Sequence, residues 1–320
     1  MTGDLTEPRQ RLRVARRLVA AEGVVVLDLV ATGGGELPPW APGAHIDLLL
    51  DDGLIRQYSL CGDPADRSVW RVGVLLDPAG RGGSGWVHRH LVEDVEVAAL
   101  GPRNHFPLLE AGGYVFVAGG IGVTPILPMV RAASRAGAPW EMHYGGRCRT
   151  SLAFVDELAT LPGGQLTLYP QDEVGLIDVA GVLGRPRPET LVYCCGPGAL
   201  LDAVERQSAT WATGTLHLER FAPADPSGTT VPSAFTVELA RTGRTLDVPA
   251  GRSLLDAVTD AGIPVLSSCH EGTCGTCETA VLAGVVDHRD SVLTPGERAA
   301  NDTMLICVSR AAGPGLVLDL

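Results

Sequence analysis

Four cysteines toward the C-terminal end of the sequence are spaced for chemistry: Cys269-x4-Cys274-x2-Cys277, with Cys307 thirty residues further on. Three thiolates on one loop and a fourth standing alone is the spacing with which a chain holds a [2Fe-2S] cluster. Gly272 and Gly275 lie among them, where a backbone wrapping a cluster must bring its N–H groups toward sulfur without Cβ interference. Structural zinc is the main alternative for four cysteines. Zinc sites usually draw on two knuckles with about two to four residues between paired ligands, which this loop does not follow. A Rieske centre would need two histidines in place of two of the thiols. His270 adjoins Cys269, but all four thiols are present, and the histidine reads as loop surface. Cys61 and Cys148 read as small buried hydrophobes rather than reactive groups.

Two glycine turns could hold an anion. Ala118-Gly119-Gly120-Ile121-Gly122-Val123-Thr124-Pro125 follows an apolar strand and opens a helix, so a pyrophosphate could approach backbone N–H groups at the positive helix end. It is not the usual G-x-G-x-x-G, and a plain strand-to-helix turn would look similar. Tyr193-Cys194-Cys195-Gly196-Pro197-Gly198 repeats the arrangement before the apolar helix ALLDAV. Two such turns on one parallel sheet could form a single crevice, although Cys194 and Cys195 taken alone would be core thiols.

Nearer the N-terminal end, Arg56-Gln57-Tyr58-Ser59 offers a cation, an aromatic plane and a hydroxyl on one strand, with Arg56 and Tyr58 on the same face by alternation. Gly80-Arg81-Gly82-Gly83-Ser84-Gly85 adds Ser84 and several N–H groups as a second phosphate candidate; otherwise it is a hairpin tip. Lysine is absent from all 320 residues. Any phosphate held by a charged side chain is therefore held by arginine, whose planar fork suits the task.

The elements that must position these residues fall into three segments. From about Leu12 to Pro107, VVVLDLVA, HIDLLL (ending at Asp52-Gly53), IRQYSL and WRVGVLL are short apolar strands broken by turns, which predicts an antiparallel barrel. From Tyr114 the strands YVFVAGG, WEMHYGG, QLTLYP and TLVYCC alternate with helical stretches such as TPILPMVRAASRAG, predicting a parallel α/β sheet with ligands at the carboxyl ends of its strands. APADPSGTTVP, over Ala222–Pro232, is a linker by composition. Beyond it, FTVELARTGRTLDVP reads as a hairpin and SLLDAVTDAG as a helix leading into the cysteine loop. The expected domains are 1–107, 108–224 and 233–320, with a linker at 225–232.

Bulk composition narrows the function. A net charge of −12 gives nucleic-acid binding no electrostatic support, and Arg11, Arg13, Arg16 and Arg17 are expected on a solvated strand face. With 45% hydrophobic and 19% charged residues the chain reads as globular. No apolar run is long enough to span a bilayer and MTGDLTEPRQRLRV lacks a signal-peptide core, so the expectation is a cytoplasmic protein without a membrane partner. Eight cysteines there are more plausibly metal ligands and buried thiols than disulfides.

Taken together, these motifs resemble the phthalate dioxygenase reductase family, which includes the vanillate demethylase reductases, over nearly the whole chain. The resemblance implies a ferredoxin-reductase-like antiparallel β-barrel carrying FMN, an α/β parallel-sheet domain carrying NADH, and an α+β β-grasp domain of the plant-type ferredoxin kind. It implies that Arg56 contacts the flavin phosphate, Tyr58 packs on the isoalloxazine, and Ser59 lies near the reactive N5. Gly82, Gly83 and Ser84 would form the phosphate stretch, Val74 lies on the ring-lining strand, and Phe221 in Glu219-Arg220-Phe221 would cover the flavin. Gly120, Gly122, Thr124 and Pro125 would form the nucleotide loop, with Thr124 toward the nicotinamide, and Cys195, Gly196 and Pro197 the second nicotinamide motif; of all these, Ser59 and Cys195 are the expected catalytic residues. Gly101-Pro102-Arg103-Asn104-His105-Phe106 matches the stretch closing the barrel, while His45, His105 and His288 look structural. Arg147 and Arg149, after EMHYGG, could bind a 2′-phosphate, but the family generally favours NADH.

The implied reaction is hydride transfer from NADH to FMN, then single electrons through a cluster near about −400 mV to a terminal oxygenase, Rieske non-haem iron or cytochrome P450. The chain is expected to be a monomer, with the cofactors rather than an acid–base triad carrying the chemistry. Residues 233–320 carry 11 acidic and 6 basic side chains, which predicts a basic docking patch on the partner. The other readings are a flavin iron-sulfur subunit of another redox pathway and a non-enzymatic zinc-binding adaptor.

Overall fold

The computed structural model describes residues 9–50, 54–223 and 233–320; the 225–232 linker and the Asp52-Gly53 turn lie outside them. The chain divides into two compact units, Pro8–Glu219 and Arg220–Leu320.

The first unit begins with β1 (Gln10–Ala21), β2 (Val24–Ala31), β3 (His45–Leu49), β4 (Ile55–Ser59), β5 (Trp70–Leu75), α1 (Gly83–His90) and β6 (Glu96–Arg103). The strands form an antiparallel sheet in the order β4-β3-β6-β1-β2-β5. A Leu60–Val72 bridge and a 2.8 Å bond from the Cys61 N–H to the Arg71 carbonyl join its two edges into the expected barrel. Leu12, Leu27, Ile46, Leu48, Trp70, Val72 and Val74 fill the interior.

Two features depart from the sequence reading. The glycine stretch is not a hairpin tip: its last residues start α1, with Gly82 at φ 80° as the preceding cap. The arginines of β1 do not share one face, because register shifts at Val14/Arg16 and Val19/Ala21 break the alternation. Arg11 and Arg13 pair with Glu96 and Asp94 at 3.0 and 2.7 Å, whereas the Arg17 guanidinium turns inward and donates to the His88 carbonyl at 3.2 Å.

The same unit continues as β7 (Gly113–Gly119), α2 (Val123–Ala136), β8 (Trp140–Gly146), α3 (Val155–Ala159), β9 (Gly164–Pro170), α4 (Gln171–Val174), α5 (Val179–Leu183), β10 (Thr190–Cys195), α6 (Gly198–Gln207) and β11 (Leu216–Glu219). All neighbours in the order β11-β10-β7-β8-β9 are parallel. β7 is buried on both faces, as the continuous apolar run requires: Tyr114, Phe116 and Ala118 pack toward α2, and Val115 and Val117 toward α5 and α6.

Within this unit the barrel and the sheet are pinned together. Arg131 of α2 donates to the Cys61 and Gly62 carbonyls and pairs with Glu157, and Arg135 pairs with Asp63, one contact at 2.8 Å. The Tyr193 hydroxyl takes the Leu109 N–H at 2.8 Å and donates to the Pro107 carbonyl at 3.0 Å.

The second unit contains β12 (Phe235–Leu239), β13 (Arg244–Val248), α7 (Leu254–Asp260), β14 (Glu278–Ala283), β15 (Val286–Asp287), α8 (Pro295–Ala300), β16 (Thr303–Leu305), β17 (Arg310–Ala311) and β18 (Gly315–Leu318). Its main sheet runs β13-β12-β18-β14-β16, with β12 and β18 parallel and the other pairs antiparallel, and α7 contributes Leu254, Leu255 and Val258 to the core. This is the expected β-grasp arrangement. No helix among the described residues is long and apolar enough to cross a membrane.

Candidate functional site

β4 presents its side chains through a buried anchor. Asp47 of β3, with no exposed surface, accepts from Gln57 at 3.0 Å and pairs with Arg103, which holds Gln57 on the face away from the barrel core and leaves Arg56 and Tyr58 on the core-facing side opposite Leu48 and Ile46. The Arg56 guanidinium donates to the Ile55 carbonyl at 2.8 Å and the Arg81 carbonyl at 2.9 Å, tying β4 to the glycine stretch. Gly83 is required there, since a Cβ would lie 2.5 Å from Arg56 Cγ. The first turn of α1 carries no acidic residue and its cap makes no side-chain hydrogen bond, so a fork-shaped cation sits beside a helix N-terminus, an arrangement that fits a phosphate.

The neighbouring side chains are placed as follows. Ser84 Oγ accepts the Asp77 N–H at 3.0 Å. Burial pushes the Tyr58 hydroxyl up to about 12, with Arg56 opposing it, so the ring is a neutral plane. Ser59, 5% exposed, closes β4 on the face opposite Tyr58. The Val74 side chain is in the barrel core, so only its backbone is left to line a surface; its carbonyl lies 3.0 Å from His88 Nε2. Phe221 is 46% exposed.

The nucleotide turns interlock. In register Cys195 faces Ala118 across β10 and β7, and the two turns meet where strand order reverses, the crevice in which parallel α/β sheets bind ligands. A Cβ on Gly122 would lie 2.2 Å from the Cys195 carbonyl oxygen, one on Gly119 2.6 Å from Pro197 Cδ, and one on Gly196 2.9 Å from the Gly119 nitrogen. Gly120, at φ +54°, has open space beside it. Pro125 is buried in the first turn of α2, whose N-cap makes no side-chain hydrogen bond. Thr124 is 2% exposed and donates from Oγ1 to the Ile121 carbonyl at 2.9 Å.

Two further residues belong to this region, and neither stood out in the sequence. A Cβ on Gly73 of β5 would lie 2.9 Å from Thr124 Cγ2 and 3.6 Å from Ile121 Cδ1; this glycine brings a barrel strand flush against the nucleotide loop. Glu219, at the end of β11, accepts from Cys195 Sγ at 3.8 Å. Its residue keeps some exposed surface while the carboxyl itself is enclosed, and burial pushes that carboxyl up to about 8. Burial and the facing Glu219 together push the Cys195 thiol well up, so Cys195 is a neutral thiol, not a nucleophile. Cys148 is not the buried hydrophobe expected: it is partly exposed, with Sγ 3.2 Å from Thr150 Oγ1 and 3.8 Å from Glu22. Cys61 is buried as expected.

In the second unit, the β14–β16 ladder pairs Glu278 with Leu305, which draws Cys277 and Cys307 together across thirty residues of sequence. The Cys269 sulfur is within hydrogen-bonding reach of those of Cys274 and Cys307, and Cys277 of Cys307. N–H groups of Glu271 and Thr273 donate to Cys269 Sγ at 3.3 and 3.5 Å. Cys269 is held far below the ordinary thiol range by hydrogen bonds from Cys274 and Cys307, with Thr273 and the Glu271 N–H adding to them, and facing it pushes Cys274 and Cys307 up. Four packed sulfurs cannot all carry charge without a multivalent cation among them, which is the donor set an iron–sulfur cluster needs. Among the described residues no three His, Cys, Asp or Glu side chains are grouped as ligands of one metal ion; the sulfurs contact one another instead. Gly272, between the Glu271 and Thr273 donors, has φ +68°, and a Cβ on it would lie 2.5 Å from Val308 Cγ2. His270 is exposed, as expected of loop surface.

Residues 237–312 match the family described as a 2Fe-2S iron-sulfur cluster binding domain. The chain is 44% identical over 315 residues to phenoxybenzoate dioxygenase subunit beta of Ectopseudomonas oleovorans, covering 97% of each. It is 36% identical, with a TM-score of 0.69 and 98% of both chains covered, to the solved structure of phthalate dioxygenase reductase, described as a modular structure for electron transfer from pyridine nucleotides to [2Fe-2S]. An intact type IV self-sufficient cytochrome P450 monooxygenase is 44% identical with a TM-score of 0.90, and the chain spans 41% of that protein's length. A flavin-reductase-like barrel, a parallel nucleotide sheet and a four-thiol β-grasp unit define an electron-transfer oxidoreductase. The chain belongs to the phthalate dioxygenase reductase family.

Proposed function

We propose that the protein is the NADH-dependent reductase of a multicomponent oxygenase, with FMN at the Arg56–Gly83 cradle, the nicotinamide nucleotide at the β7–β10 crevice, and a [2Fe-2S] cluster on Cys269, Cys274, Cys277 and Cys307. When bound, these groups take a hydride from NADH and release its electrons singly to a terminal oxygenase of the Rieske non-haem iron or cytochrome P450 kind. Arg56, Gly82, Gly83 and Ser84 hold the flavin phosphate, and Tyr58 supplies a neutral plane for the ring. Ser59 and the Val74 backbone complete the wall. Gly120, Gly122, Pro125, Gly196 and Pro197 admit the nucleotide to the helix N-terminus. Cys195 and Thr124, both neutral and buried, exclude water from the nicotinamide end.

The observation that carries this reading is the packing of Thr124 and Ile121 on Gly73, which joins the nucleotide loop to the barrel strand beside the phosphate cradle. Hydride transfer requires such proximity, since reacting atoms must come within about 3–3.5 Å. Cys269 receives N–H groups that stabilise sulfur charge, as cluster ligands do.

The relay is complete within one chain, which supports a monomer, and eight cysteines of which four serve the proposed cluster and none is joined in a disulfide among the described residues suit a reducing cytoplasm. The acidic balance of 233–320 favours a partner with a basic docking face. The visible spectrum of the purified protein tests the reading. Flavin and iron–sulfur absorption bleached by NADH is expected; a colourless protein with stoichiometric zinc would overturn it.

A further inference from the structure

The carboxyl ends of β8 and β9 carry charges that bear on which nucleotide is accepted. In parallel dinucleotide-binding sheets the end of the second strand meets the adenosine ribose: an acidic residue there binds the 2′-OH of NAD, and an arginine accommodates the 2′-phosphate of NADP. β8 is the second strand of this sheet, beside β7 in the order β10-β7-β8-β9, and it ends not in an acid but in Gly146-Arg147-Cys148-Arg149. By sequence that is a 2′-phosphate site.

The fold alters it. β8 and β9 pair in register out to Gly146 and Pro170, and the chain turns directly into α4, whose first turn carries Asp172 and Glu173. The backbone bond from the Asp172 N–H to the Arg147 carbonyl, 3.2 Å, fixes this turn against the end of β8. Glu173 then takes Arg149 in a two-pronged pair, Nε to Oε1 at 3.2 Å and Nη2 to Oε2 at 2.7 Å. The planar face that would fork a phosphate is occupied by a carboxylate from the neighbouring strand end.

We infer that Glu173 is a specificity-determining residue that enforces NADH over NADPH, by occupying the Arg149 fork and presenting its own negative charge to an incoming 2′-phosphate. Both side chains are largely exposed, 59% for Arg149 and 44% for Glu173, so the pair is weak and exchangeable. A 2′-phosphate must displace the carboxylate and then remain beside it and Asp172. This inference rests on the nucleotide site proposed at the β7–β10 crevice and adds to it the selectivity of the adenosine end.

The test is calorimetric binding of 5′-AMP and 2′,5′-ADP to the flavin- and cluster-loaded protein, alongside kcat/KM for NADH and NADPH. Glu173→Gln should raise the preference for 2′,5′-ADP over 5′-AMP by about fivefold, the scale of an exposed ion pair. The NADPH:NADH ratio should rise with it. The gain should vanish in Glu173→Gln/Arg149→Ala, and it should shrink as salt is raised. Unchanged ratios in Glu173→Gln, with 5′-AMP still bound and the far-ultraviolet dichroism unaltered, would overturn the inference alone. Failure of the wild-type protein to bind 5′-AMP would overturn the nucleotide-site reading with it.

Discussion

Gly122→Ala places a single methyl group between the two nucleotide turns. Gly122 has φ −60°, which any residue adopts, so the substitution acts through sterics alone. Its Cβ would stand 2.2 Å from the Cys195 oxygen and 2.8 Å from the Gly196 nitrogen, both backbone atoms, and recovering an ordinary contact of 3.4 Å requires the turns to part by about 1.2 Å. A misplacement of about 1 Å near a reacting pair costs on the order of 10²-fold in rate, while overpacking of this kind costs about 1–3 kcal/mol of stability. The expected outcome is a fall of about a hundredfold in NADH-driven flavin bleaching, followed by anaerobic stopped flow at 450 nm, with a modest drop in thermal midpoint. Gly33→Ala, where a Cβ would meet nothing within 4 Å, serves as the control. A folded Gly122→Ala protein bleaching within twofold of wild type would refute the interlocked-turn account of the site.

Two further outcomes follow from the same geometry. Arg56→Ala removes the proposed charge-assisted phosphate donor and unties the Arg81 carbonyl; at about 1.5–3 kcal/mol for such a bond, FMN should be released about ten- to a hundredfold more readily, read as recovered flavin fluorescence on dilution. Glu219 bears on stability against pH. Its carboxyl is raised from 4.5 to about 8 by burial, so the folded protein keeps a proton that the unfolded chain releases. The stability this group allows is fully present below about pH 4.5, declines as pH rises, and is lost above about 8. Wild type should therefore lose thermal midpoint relative to Glu219→Gln between pH 5.5 and 8.5, and parallel curves for the two would contradict the enclosed carboxyl.

What was legible in the sequence was local. Strand-to-glycine-to-helix segments such as 114–125 and 190–198 announce themselves, because the apolar run, the turn and the helix are contiguous. The cysteine spacing announces its proposed ligand set for the same reason. Residues whose role depends on a distant partner were not legible. Gly73 looks like a weak point in a strand until Thr124 packs on it, Glu219 acquires meaning only beside Cys195, and Arg149 reads as a free cation until α4 delivers Glu173. Helix α1 was hidden because Gly-Ser-Gly is a poor helix start by propensity, whereas the left-handed Gly82 cap and burial of Val87 in the barrel core hold it in place. The bulges of β1 turned Arg17 inward against an alternation that the sequence could only assume to be regular.

The central claim is that electrons leave through the four-thiol loop after a separate nucleotide-to-flavin step. Cys277→Ser tests it most directly, with both half-reactions measured on the same folded sample. NADH should still bleach the flavin absorbance at close to the wild-type rate, while the cluster signal in electron paramagnetic resonance and electron delivery to a terminal oxygenase are lost. Loss of NADH-dependent flavin bleaching in a variant that keeps its fold and its flavin would contradict the order of the relay.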